Sequence, residues 1–525
     1  MKFIPVLIAF LVCMAPVAAQ SGTPRISQHP MGSHAVAIAA NGQLFAWGSN
    51  NLGQLGNGTL TSSTTPISIP VNYPAPAKDC AAGQDFSLLL AANNTVWAWG
   101  SDADGRLGTS PTGNPKTSPT QVPGLSDVVA IAAGSQFALA LLGDGTVRAW
   151  GSNVLGQNGS GSTVSGGIST PQVVRINYGS FIGILANVVA IAAGDGHALA
   201  LCSNGEVYAW GKDYSGQCGD GQASTSLSAS NYARKMPNVS AVVAIAAGAD
   251  HSLVVRSNGS VLACGLGQAG RLGTGSTADE NATPAAVQGV SNVIAAAGGV
   301  EQSLFLTVSG AVYGCGRNSN YRLGLSDPST VYPSTLLSDA GTCMSVTAGR
   351  LSSWFIGANG LAKVCGSGGA LGLANSPATV ITAMTNLPLG PLGGFQFLLS
   401  SVGDGIQMMI PPNNFANALA YPTTALYYAN VYSMNLVNGG PLFGQGNWFG
   451  LHVTPAELDA HISMAAAGFD MVSGPLDPSG GAYAVYPLLG AGLSGTTVWG
   501  VSIVFSVNAT SSQLQISSPV TSATL

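Results

Sequence analysis

Charge is scarce in this chain. Asp, Glu, Lys and Arg make up 7% of its 525 residues, against about 25% in a typical soluble domain, and no Lys or Arg occurs after Lys363. Sixteen basic residues against 21 acidic ones give a net charge of −5 and no basic stripe. Nucleic-acid affinity depends on neutralising several phosphates, so no nucleic-acid partner is expected. Beyond the N-terminus no run approaches the roughly 20 apolar residues of a membrane helix, so no membrane span is expected. There is no nucleophile elbow, no phosphate loop, no cysteine pair at zinc-ligand spacing and no carboxylate pair whose spacing recurs. The expectation is a non-enzymatic chain with no catalytic residues, no metal and no cofactor. With so few charges and 71 glycines, the surface must be Ser, Thr, Asn, Gly and backbone.

What the chain has is a period. Trp47-Gly48, Trp99-Gly100, Trp150-Gly151 and Trp210-Gly211 are followed in frame by Cys264-Gly265, Cys315-Gly316 and Cys365-Gly366, at intervals of 52, 51, 60, 54, 51 and 50 residues. Thirteen residues before each dipeptide stand His34, Phe86, Phe137, His197, His251, Gln302 and Ser352. Five before it stands Gly in six units and Asn94 in the other, the mark of a tight turn with positive φ. In unit three, Val128 to Ala133, Phe137 to Leu142, Thr146 to Trp150 and a weaker stretch around Thr170-Pro171 read as four short strands. Four strands in about 50 residues is a propeller blade, and a unit that cannot bury its own apolar face must stack on its neighbours.

The unit resembles the repeat of the regulator of chromosome condensation family. Its closing pattern is read here in Trp47-Gly48-Ser49-Asn50 with Gly53-Gln54-Leu55-Gly56, and in Gly105-Arg106-Leu107-Gly108 and Gly270-Arg271-Leu272-Gly273. The resemblance covers roughly residues 23 to 385. It implies an all-β, seven-bladed propeller over 23–387, whose rim loops form a surface for a protein partner. Exported seven-bladed β-lactamase inhibitors share the repeat, and the chain looks similar to them. Two segments are candidates to close the ring, Thr23 to Ser27 and a stretch at 376–383. The second is expected to pair with unit one, removing an open sheet edge.

Lys2, the apolar run Phe3 to Met14 and Val17-Ala18-Ala19 have the pattern of a signal peptide over 1–19. The reading is of a secreted or extracytoplasmic chain with an unknown extracellular protein partner, and its seven Asn-x-Ser/Thr sites matter only in a eukaryotic secretory pathway. Residues 388–525, with clustered aromatics such as Tyr427-Tyr428 and Trp448-Phe449, are expected to form a mostly β, sandwich-like domain. A carbohydrate-binding or carbohydrate-active site in that domain, with a glycan stacked on its aromatics, is the alternative function; a structural cell-surface role is a third. The one good helix start, Thr454-Pro455-Ala456-Glu457, gives Glu457 a capping role, so nearby His452, Asp459 and His461 are not read as a metal site.

The remaining cysteines occupy positions that are apolar or Trp in other units, so they read as buried free thiols rather than a disulfide framework. His34, His197 and His251 share their place with Phe86 and Phe137 and read as half-buried packing residues. Function is placed where the period breaks. The 60-residue interval carries a surplus around Arg175, Tyr178 and Phe181, expected to be an inserted loop. Tyr232, Arg234 and Lys235, which include an adjacent basic pair, are expected one blade away on a corresponding rim. These six residues are the candidate binding site, because Arg and Tyr are enriched at interface hot spots.

Overall fold

Each period folds as its apolar runs and turn glycines require. In a computed structural model, unit three pairs Val128–Ala133, Phe137–Leu142, Val147–Gly151 and Ile168–Val173 in that order, every pairing antiparallel. Residues 25–39, 41–74, 76–162, 167–177, 181–221, 229–276, 280–357, 360–373, 377–384, 387 and 389 are described, together with strands between 400 and 524. Residues 8–392 and 393–525 separate into two units.

In the first unit the described strands form seven sheets, one per period, beginning at Arg25–Ser27, Ala77–Ala82, Val128–Ala133, Val188–Ala193, Val242–Ala247, Val293–Gly298 and Cys343–Ala348. These seven first strands line one cavity of about 340 Å³, which places them around a common axis. Alanine dominates the lining because seven strands converge there. Second strands such as Phe86–Ala91 and His197–Cys202 are buried along their whole length. Fourth strands, rich in Ser, Thr and Pro, are half exposed.

Adjacent blades are held together by a repeated contact. The indole Nε1–H of Trp99 donates to Gln54 O at 2.9 Å, that of Trp150 to Arg106 O at 3.0 Å and that of Trp210 to Gln157 O at 2.8 Å, each reaching back one blade. Where Cys replaces Trp, the thiol takes over: Cys315 Sγ lies 3.4 Å from Arg271 O and Cys365 Sγ 3.4 Å from Arg322 O. All seven cysteines after Cys13 are buried and free, as their alignment requires. Burial pushes the Cys315 thiol up to about 12.

The ring closes by this same contact, and here the expected closure is corrected. The strand Ala378–Ala383 pairs with Ala362–Gly366 of its own blade, not with the first. Arg25–Ser27 is instead the innermost strand of blade 1, paired with His34–Ile38. Trp47 donates to Ala370 O at 2.6 Å and meets Trp354 edge-on at 5.5 Å, so blade 1 docks on blade 7 as every other blade docks on its predecessor. Gln28 adds to the seam, its Oε1 accepting from Ser352 Oγ at 2.6 Å and Trp354 Nε1 at 2.9 Å. With each blade complete in itself, no shared strand is needed.

In residues 393–525 the described strands form one sheet in the order Ser400–Val402, Gly405–Met409, Ser512–Ile516, Thr497–Val507, Leu426–Ser433 and Ser473–Pro475. Thr521–Thr524 also pairs with Thr497–Val507, and Gly446–Trp448 forms a hairpin with Leu451–Val453. A second facing sheet, as a sandwich requires, is not among the described strands. The side chains proposed to stack on glycans, and the helix start at Thr454, lie outside the described residues, as do Asp459, His461 and the side chain of His452.

Candidate functional site

Two sets of polar groups stand out on the propeller, one inside the blade seams and one on an outer edge. The first set contains the histidines. His34, His197 and His251 are fully buried rather than half-buried. Their Nε2 atoms lie 2.8, 3.0 and 2.9 Å from the hydroxyls of Ser87, Ser252 and Ser303, each in the next blade. Those hydroxyls donate to Gln54 O, Gln217 O and Arg271 O, so each must accept from an Nε2–H. Nδ1 then holds the lone pair and has no partner among the described residues. Burial pushes His34 down to about 3 and His197 down to about 4. Where the histidine position holds Phe86 or Phe137, the next blade supplies Ala138 or Ala198 in place of Ser. Wherever this position holds His or Phe, the alternation is thus a matched pair across the seam. These imidazoles are sealed from solvent and structural.

One more histidine crosses the axis. His29 Nε2 donates to Gly194 O of blade 4 at 3.2 Å, while its Nδ1 accepts from Met31 N–H at 3.0 Å. Beside it in the cavity Arg25 reaches Asp79 at 2.5 Å, and the carboxylate raises the guanidinium pKa further.

The second set lies where the period breaks. The surplus is not a loop but a β-hairpin, Arg175–Asn177 with Ile182–Ile184, which makes blade 4 a six-stranded sheet. Arg175–Asn177 runs parallel to Ala229–Lys235, the fourth strand of that blade, with Ile176 opposite Ala233. The two groups of candidate residues, expected one blade apart, therefore share one sheet. The alternation of the hairpin explains its seating: Ile176 and Leu185 are buried in the seam between blades 3 and 4, beside Phe137 and Trp210. Arg175 and Asn177 point the other way and are exposed.

The candidate residues have different surroundings. Arg234 is exposed and pairs with Asp220 at 3.3 Å. Lys235 pairs with Glu206, and that contact holds the Glu206 carboxyl below its usual range. Tyr232 is half-buried, its ring lying so close to Gly161 that a Cβ there would sit 2.7 Å from it. Phe181 is 65% exposed. Tyr178 lies outside the described residues. Sequence reasoning missed Ile182 and Ile184, 45% and 52% exposed, although their alternation about Gly183 marks them as one face. Among the described residues no cluster of potential metal ligands is found, and no helix is long and apolar enough to cross a membrane.

Comparisons with known proteins agree on the fold. Sequence models of the regulator of chromosome condensation repeat match residues 41–90, 93–141, 144–201, 204–255 and 258–306, and a second model of the same repeat matches 128–157, 188–217 and 242–271. The ultraviolet-B receptor UVR8 of Arabidopsis thaliana is 30% identical over 256 residues, 47% of this chain and 54% of that protein. Protein pim1 of Schizosaccharomyces pombe is 26% identical over 331 residues, 56% and 59% of the two chains. The human E3 ubiquitin-protein ligase HERC2 is 32% identical over 185 residues, 34% of this chain and 4% of that one. The chain thus spans less than two thirds of the length of each of these relatives. Among solved structures, Prp20p of Saccharomyces cerevisiae, described with its binding to Gsp1p and histones, superposes with a TM-score of 0.57 at 24% identity, covering 70% of this chain and 87% of that one. Yeast RCC1 (Prp20) bound to Kap60 gives 0.57 at 23% identity, covering 70% and 85%.

These findings overturn the reading of an exported chain. The similar proteins include an E3 ubiquitin-protein ligase, an ultraviolet-B receptor and propellers described with Kap60, Gsp1p and histones, and they point to nuclear and cytoplasmic settings rather than to secreted β-lactamase inhibitors. The signal-peptide reading, the extracellular partner and the extracellular glycan are withdrawn with it; an apolar run in a charge-poor chain is not specific to export. The partners named with the similar propellers, Kap60, Gsp1p and histones, are proteins, which accords with a non-enzymatic ring. With its repeat matched from residue 41 to 306 and its seven blades on one axis, the chain belongs to the regulator of chromosome condensation repeat family.

Proposed function

We propose that this chain is an intracellular, non-catalytic scaffold that presents the outer edge of blade 4 to a protein partner. The observation that carries the reading is the hairpin: the largest departure from the period adds two strands, and their register sets Arg175 level with Tyr232 on one outward face. Exposed Ile182 and Ile184, opposite Asn177 and Arg175, continue that face, and exposed Phe181 adjoins them in the chain. Such apolar groups beside Arg and Tyr have the composition of an interface core. The relatives support a protein rather than a small-molecule ligand, since Prp20p is described with Gsp1p and histones and yeast RCC1 with Kap60. Residues 388–525 are read as a separate β-rich domain, supported by their strands and by the division of the chain near residue 393.

The test is comparative capture from a lysate of the producing cell. Replacing Arg175, Phe181 and Arg234 with Ala should leave the melting temperature unchanged, since all three are exposed, while weakening capture by about 2 kcal/mol or more. Unchanged capture with a lowered melting temperature would assign these side chains to packing.

A further inference from the structure

Ile182–Ile184 is the last strand of the blade 4 sheet, and its hydrogen-bond phase decides what it offers. In an antiparallel pair, hydrogen-bonded and non-hydrogen-bonded residue pairs alternate. Leu185 N–H donates to Val174 O at 3.0 Å, whereas Arg175 N–H turns away from the hairpin to Gly159 O at 2.8 Å. Arg175 opposite Ile184 and Asn177 opposite Ile182 are therefore the non-hydrogen-bonded pairs. It follows that the peptide N–H and C=O groups of Ile182 and Ile184 point outward, and among the described residues no strand receives them. An edge with unpaired peptide groups is a template for another strand. Natural edges are often protected by charge or Pro; this one presents two isoleucines and a glycine.

We propose that this edge takes up an extended acidic segment of the partner as a further antiparallel strand of blade 4, an inference that rests on the interaction surface proposed above. Backbone pairing gives the attachment and alternate side chains give the selectivity, as in other strand-addition complexes. Charge complementarity selects an acidic occupant. Arg175 makes no ion pair or side-chain hydrogen bond among the described residues, and it stands directly across from Ile184. Arg234 lies two strands in from the edge on the same outward face, with its side chain 58% exposed. In a segment alternating carboxylates with apolar residues, the carboxylates share the outward face with Ile182, Ile184 and the nearby Arg175, while the apolar residues take the other face beside Gly183. Arg234, already paired with Asp220, adds to the positive side of that face. A second copy of this chain, edge to edge, would cover the isoleucines and bring no anion to Arg175.

The experiment titrates the full chain with two synthetic probes, an acetylated hexapeptide alternating Glu with Val and its counterpart alternating Lys with Val. Binding is followed by anisotropy of a labelled peptide and by hydrogen exchange of the 182–184 amides. Ile184→Pro removes an outward N–H without removing an internal hydrogen bond, a substitution that sheet edges tolerate. The Glu peptide should bind and slow exchange at Ile182 and Ile184, and the Lys peptide should not. Ile184→Pro should weaken binding at least tenfold, and Arg175→Glu should weaken it similarly and shift preference toward the Lys peptide. Equal binding to wild type and Ile184→Pro, no binding of the Glu peptide at millimolar concentration, or a dimer in sedimentation that Ile184→Pro dissolves would each overturn strand addition. Loss of partner capture in Phe181→Ala and Arg234→Ala with capture retained in Ile184→Pro would sink strand addition and leave the interaction surface standing.

Discussion

Acid should loosen this ring in a way that one pair of substitutions can cancel. His34 and His197 are held neutral in blade seams, their pKa values pushed from 6.5 to about 3 and about 4, and His251 is pushed well below its usual value. The cause is burial, which outweighs the nearby backbone carbonyls that would favour the charged ring. Because the folded pKa lies below the unfolded one, the unfolded chain binds more protons in between. Stability is therefore full above pH 6.5 and falls as the pH drops toward the folded pKa. Each such histidine contributes a slope of about 1.4 kcal/mol per pH unit, or about 2 kcal/mol between pH 7 and pH 5. Phe137 with Ala198 shows what fills the same seam without a titrating group. His197→Phe combined with Ser252→Ala copies that pair into the next seam, and the double variant should lose about 2 kcal/mol less than wild type over the interval. The measurement is the melting midpoint at pH 7, 6 and 5, where this difference corresponds to several degrees. Parallel pH profiles for the two proteins would refute the assignment of the neutral imidazole.

Other outcomes follow from the axis, the seam and the thiols. Asp79→Ala removes the carboxylate that pairs with Arg25 in the cavity and should lower unfolding free energy by about 1.5 kcal/mol or more in urea titration. A chain beginning at Gly32 loses the inner strand of blade 1 and Gln28; it should melt earlier and more broadly than one in which Ala378–Ala383 is deleted, since that outer strand closes nothing. Cys264, Cys315 and Cys365 are buried with raised pKa values, so a thiol-reactive dye should label them only in denaturant, and fast labelling of the native chain would contradict the seam geometry.

Blade number and strand order were readable from the Trp-Gly and Cys-Gly frame, because stacking forces each unit to repeat the same contacts. Closure was not. Arg25–Ser27 has three residues where other first strands have six, and the bond that joins the ring, Trp47 to Ala370, spans the whole propeller without a local signature. The histidine position was legible as a position but not as a pair, since each serine lies one blade later. At the candidate site the surplus length was visible, but its fold was not. Whether an insertion becomes a loop or a hairpin depends here on Ile176 and Leu185 finding the seam beside Phe137, and on parallel pairing with a strand more than fifty residues away. The setting was misread because scarce charge and an apolar N-terminus describe solubility and surface, not the compartment in which the partner resides.

The seam at Gln28 and Trp47 has a consequence for how the protein is born. Their partners, Ser352, Trp354 and Ala370, lie more than 320 positions later in the chain. At about 5–20 residues per second, a ribosome delivers those partners roughly 15 to 70 seconds after blade 1 has emerged. Blades 2 to 6 can settle on their predecessors as they appear, but for that interval the first blade holds Trp47, Phe45 and Ile26 against no neighbour on its open side. The earliest part of the ring to be made is thus the last to be finished, and it is the part for which a holdase or a slower nascent chain would matter most.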